Sequence, residues 1–121
     1  MQIPTHIPPE RVRDFDIYQP LRDGLDFHLS WKALQDSGAP DVIWTPHNGG
    51  HWLVLRGPLV ERVLSDHANF SSHTVLVPKE TAGVAYRLLP LSLDPPDHAP
   101  FRKLLTSGLS PQAVSAVEGR I

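Results

Sequence analysis

The stretch LDPPDHAPFRKLL, Leu93 to Leu105, carries a helix start and two unusual donors within thirteen residues. Asp94 can cap the free amides of a helix, Pro95 suits its first position, and Asp97 falls in the first turn, where the helix dipole favours an anion. The spacing predicts a helix to about Ser107, with Gly108 as its stop. Pro100 is tolerated there because few amides in the first turn have intrahelical partners. His98 and Arg102 stand four residues apart, hence on one face, about 40° from each other. Leu105 and Leu109 continue that face, which predicts that it turns inward. Two donors aimed at a partly buried place need an anion, because an unpaired buried cation is costly. A guanidinium and an imidazole N–H both suit carboxylates. The other reading is a surface pair neutralised locally by Asp94 or Asp97. Spacing alone leaves both open.

Upstream, the chain divides into short elements punctuated by prolines, of which there are thirteen in 121 residues. They follow no repeat. Residues 1–20 read as an extended arm lying on another part of the protein and ending at Tyr18-Gln19-Pro20. Leu21 to Asp36 is a helix candidate, with Leu21, Leu25, Leu29 and Ala33 in an i, i+4 ladder beside Trp31 and Leu34. Ser37-Gly38-Ala39-Pro40 stops it. Val42–Thr45 and His51–Leu55 are β-branched and aromatic runs flanking Asn48-Gly49-Gly50, a hairpin signal. Pro58 opens a second short helix, with apolar residues at Leu59, Val60, Val63 and Leu64. Residues 69–90 have no sustained period, and a loop of that length is functional or lacks its context. Pro111 begins a further helix through Ala113, Val114 and Val117.

Composition excludes several classes. The chain is 40% hydrophobic and 20% charged with net charge −2, as in soluble globular proteins. No apolar run approaches the ~20 residues of a membrane helix. The N-terminus lacks a secretory h-region, so a cytoplasmic location is expected. Mild acidity argues against nucleic acid as a partner. The absence of cysteine removes disulfides and thiolate ligands from this chain. None of the seven histidines forms an HxxxH pair on a helix with a nearby third ligand, so His47, His51, His67 and His73 read as turn or surface residues and no metal site is assigned. Gly49-Gly50 reads as a turn, not a phosphate loop. Trp31, Trp44 and Trp52 read as packing.

LDPPDHxxxRKLL resembles the start of helix C in the cytochrome P-450 heme-thiolate monooxygenases, especially the soluble bacterial ones. The element order read above, arm, helix A, β hairpin, helix B, substrate loop and helix C, is that family's order. Phe15-Asp16-Ile17-Tyr18, Pro40 to Thr45, Asn48 to Trp52, Phe70-Ser71-Ser72 and Ala85-Tyr86 are similar to its camphor hydroxylase branch. The resemblance implies a mainly α fold with a small β hairpin (α+β), with residues 1–121 forming the N-terminal part of one heme monooxygenase domain.

The same resemblance implies a cofactor, heme b, with His98 and Arg102 contacting its propionates. Tyr86 would donate a hydrogen bond to a substrate ketone, and Leu76, Leu88 and Leu91 would line the pocket. The family has aromatic residues and a threonine at several of these places. It implies hydroxylation of a small apolar, camphor-like ketone with O2, in a monomer. Electrons would come from a two-iron two-sulfur ferredoxin and its NADH-dependent reductase, with Arg102 lying under the proximal surface where the ferredoxin docks. The axial cysteine and the catalytic residues would lie outside this chain, which alone would be inactive. A self-standing, non-catalytic α/β binding module is the competing expectation. It requires four short elements to satisfy their own apolar faces.

Overall fold

The computed structural model describes residues 3–20, 24, 26–78 and 88–120. Among them are helix α1 (Phe27–Asp36), strands β1 (Val42–Thr45) and β2 (His51–Val54), and helices α2 (Gly57–Ser65), α3 (His98–Gly108) and α4 (Pro111–Glu118). A single 3₁₀ turn, Pro9–Arg11, interrupts the N-terminal arm. The fold is mainly α with one antiparallel hairpin, as the sequence predicts.

The arm has found the surface it needs. Val12 bridges Trp44 in parallel, and the Arg13 amide donates to the Trp44 carbonyl at 2.9 Å. The Arg11 guanidinium donates to the Val42 carbonyl at 3.0 Å. β1 therefore has backbone partners on both edges, β2 on one and the arm on the other. Its residues become the most buried of the chain: Ile43 and Thr45 are fully enclosed. A hydroxyl buried there needs partners. Thr45 Oγ1 donates to the Phe15 carbonyl at 2.7 Å and accepts from the His47 amide at 3.2 Å.

In the hairpin Val42 faces Val54, Ile43 faces Leu53, Trp44 faces Trp52 and Thr45 faces His51. The turn between them runs through Asn48, Gly49 and Gly50, all with positive φ (51°, 87° and 80°). Gly50 is required twice over. Its φ strains any L side chain, and a Cβ there would lie 2.5 Å from the buried Trp44 ring. Trp52, by contrast, is about half exposed, so it is not the packing residue that its composition suggests. Around Ile43, Ala39 and Leu55 complete a small core, with Trp31, Leu34 and Leu53 packed against it. Phe15 meets Trp31 edge-on at 4.7 Å, which ties the arm to α1.

Two helix expectations are corrected. α1 begins at Phe27, not Leu21, because the Asp26 carboxylate accepts from the Leu29 amide at 2.8 Å and caps it there. Leu21 and Leu25 lie outside the described residues. Leu29 and Ala33 face outward, while Ser30, Trp31 and Leu34 face the hairpin. The reason is tertiary: Gln35 donates to the Leu55 carbonyl and Arg56 to the Gln35 carbonyl, fixing the rotation of α1. α3 starts at His98, preceded by Asp97, which makes no side-chain cap bond.

The chain exposes 9413 Å², whereas a compact monomer of 13.5 kDa exposes about 6,500 Å². Much of the excess is apolar: Leu64, Leu104 and Leu109 are each more than 70% exposed.

Replacing Gly50 with Ala should lower the stability of the full-length protein by about 2–4 kcal/mol, the sum of left-handed backbone strain and overpacking against Trp44. Denaturant unfolding followed by tryptophan fluorescence measures it; an unchanged midpoint would count against the packing described.

Candidate functional site

α3 is a three-turn helix that puts His98 and Arg102 on one face, one turn apart. What decides their availability is where the neighbouring carboxylates point. Asp94 does not cap α3. Its Oδ1 accepts from the Ser72 amide at 2.7 Å, and its Oδ2 accepts from the Ser71 hydroxyl. Those two donors hold its carboxyl below the usual carboxylate range, led by the Ser71 hydroxyl. Among the described residues no ion pair involves His98 or Arg102. The local neutralisation that spacing leaves open is not made.

The face they share is exposed rather than inward. Arg102 is exposed, His98 half-buried, and Leu105 and Leu109 are 46% and 73% exposed. Only α4 packs substantially against α3. Among the described residues, then, the two donors meet no anion and stand beside exposed leucines.

The candidate pocket residues fall into two places. Leu76 lines a shallow groove of about 270 Å³ against the hairpin turn, with Asn48, His51 and Thr74 among its neighbours. Leu88 and Leu91 stand 46% and 62% exposed in the turns that lead to α3. Tyr86 lies outside the described residues. The Tyr18 hydroxyl donates to the Val77 carbonyl, so the arm holds the Leu76 segment at its far end.

The 128-residue match to the probable cytochrome P-450 127A1 of Sinorhizobium fredii is 35% identical and takes in 98% of this chain. The erythromycin C-12 hydroxylase of Saccharopolyspora erythraea is 36% identical over 96 residues, 77% of this chain. Among solved structures, CYP101J2 superposes with a TM-score of 0.85 over 98% of the chain at 55% identity. The chain belongs to the cytochrome P-450 family. The structure of the cytochrome P-450 CYP101C1 superposes equally well, at 35% identity. No family model matches the chain. It spans about 30% of the length of the first of these relatives and of both solved structures, and it corresponds to their N-terminal portion. Members of the cytochrome P-450 family carry heme.

Two features of this cytochrome P-450 segment escape sequence reading. The bond from Asp94 to Ser71 and Ser72 spans more than twenty residues and has no local signature. His51 reads as a turn residue, and its register position opposite Thr45 carries it against the hairpin. Both of its ring nitrogens are buried, without a hydrogen-bond partner among the described residues. Burial lowers its pKa from the ordinary 6.5, opposed by the nearby His47 carbonyl and the Asp16 carboxylate. His47 itself lies between Asp14 and Asp16 and joins the arm to the turn.

The His51 shift has a stability consequence. Between its depressed folded pKa and 6.5 the unfolded chain takes a proton that the folded chain refuses. Native stability should therefore fall as pH drops through 6.5 and recover above it. The difference between wild type and His51→Phe, measured by denaturant unfolding from pH 8 to pH 5, isolates this residue. A difference that does not vary with pH would refute the assignment.

Proposed function

We propose that this chain supplies the propionate anchor and part of the substrate wall of a heme-dependent monooxygenase. The observation that carries the reading is the free His98 and Arg102 pair, whose neighbouring carboxylate Asp94 is engaged by Ser71 and Ser72. Heme offers what that pair lacks: two carboxylates on a large apolar disc. The donor set fits. A guanidinium can hold one carboxylate oxygen pair, and the imidazole N–H can donate to another. The exposed leucines of α3 would gain cover from the same apolar surroundings.

A bound heme, held with the help of residues elsewhere in the protein, would supply the chemistry for oxygen insertion into a C–H bond. The residues of this chain bind and orient. Arg102 and His98 would fix the cofactor edge, neutralising its negative groups. Tyr86 would donate a hydrogen bond to a carbonyl of the substrate, so that one C–H faces the reacting centre. Leu76, Leu88 and Leu91 would supply apolar contact, which suits a compact terpenoid-like ketone of the camphor class. Electrons would arrive from a two-iron two-sulfur ferredoxin and its NADH-dependent reductase, at a surface near Arg102. The protein would work as a cytoplasmic monomer. The large exposed apolar area favours this reading over a self-standing binding module.

The full-length protein, expressed, reduced and exposed to carbon monoxide, should show the red-shifted Soret band of thiolate-ligated heme. A folded, heme-loaded product without that band would overturn the reading. Arg102→Ala should speed loss of heme to excess apomyoglobin about tenfold, by leaving a propionate unpaired. Equal rates would remove Arg102 from the anchor. Tyr86→Phe should leave heme content unchanged and broaden the product distribution from camphor, as read by gas chromatography. A single unchanged product would exclude the tyrosine as the orienting donor.

A further inference from the structure

We propose that Asp94 is a positioning residue, which joins the segment entering the Leu76 loop to the helix that carries His98 and Arg102 and thereby sets where those donors stand. The proposal rests on the heme-anchoring reading of that pair and adds a residue that acts through it. Asp94 holds both sides at once. Its side chain accepts from the Ser72 amide at 2.7 Å and from the Ser71 hydroxyl. Its carbonyl accepts from the His98 amide at 3.1 Å, the first residue of α3. Arg102 follows one turn later on the same rigid element.

The far side of the link is itself organised. Ser71 Oγ accepts from the His73 amide at 3.0 Å, which shapes the chain on its way to Leu76. His67 and His73 lie near enough to favour the ionised carboxyl, though less than the two serine bonds do. Among the described residues, no other side-chain hydrogen bond links the stretch 94–120 to the residues before 79. Among the described elements, α4 is the one that packs substantially against α3. The carboxylate of Asp94 is thus the described tether between the hairpin half of the chain and the anchor helix. Moving it shifts loop and helix relative to each other.

The test uses the full-length heme protein. Asp94→Ala should release heme to excess apomyoglobin about three- to tenfold faster than wild type. Because Asp94 acts through the placement of Arg102, Asp94→Ala combined with Arg102→Ala should be no faster than Arg102→Ala alone. Asp94→Asn, which keeps an oxygen for the Ser72 amide, should restore most of the retention. Ser71→Ala, the milder variant if Asp94→Ala does not fold, should lie between. Additive effects in the double variant, or an unchanged rate in Asp94→Ala and Ser71→Ala, would overturn the proposal.

Hydrogen exchange reads the link without relying on heme. In the Asp94 and Ser71 variants the Ser72 and His98 amides should lose protection together. Loss at Ser72 with His98 still protected would refute the tether. Failure of the wild type to show a thiolate-ligated heme would overturn the anchoring reading instead, and the exchange result would still decide the link.

Discussion

Strand β1 is the part on which the rest depends, and the buried Thr45 hydroxyl shows why. A polar group that is fully enclosed must be satisfied inside the protein. Thr45 does so by donating to the Phe15 carbonyl and accepting from the His47 amide, which fixes the arm and the start of the turn at one point. From there the arm pairs with Trp44, Trp44 lies over Gly50, and Phe15 reaches Trp31 on α1. The hairpin, the arm and the first helix are one structure because β1 has partners on every side.

The second half of the chain hangs on much less. α3 and α4 bury no residue completely and present Phe101, Leu104, Leu105 and Leu109 to the outside. An apolar surface of this extent is covered in a working protein. His98 and Arg102 share this uncovered face, with no ion-pair partner among the described residues. The two serine bonds of Asp94 matter in this setting because they are polar and directional.

Much of this was legible in the residues. Asn48-Gly49-Gly50 between β-branched runs marks the hairpin, and its positive φ values are what that tripeptide is suited to. Pro111 marks the start of α4, and the structure adds a Ser110 hydroxyl that caps it by accepting from the Ala113 amide. Other features were not legible. The ladder of Leu29 and Ala33 suggested the wrong face of α1, because the bonds of Gln35 to Leu55 and of Arg56 to Gln35, about twenty residues on and just after β2, set its rotation. Trp52 reads as core and stands half exposed, since only register tells which side of a strand is covered.

Local chemistry dictated what is local: the turn that needs glycine, the caps at Asp26 and Ser110, and the i, i+4 placement of His98 and Arg102, all set by backbone geometry within a few residues. The resemblance of its motifs also gave the family. Tertiary structure alone decided how charges and apolar faces are matched across the chain. Asp94 could cap its own helix or bond to a distant serine pair with similar local geometry, and the serines won because the fold brings two donors to one carboxylate. That choice is a comparison of partners in space, and it leaves Arg102 without an ion pair among the described residues.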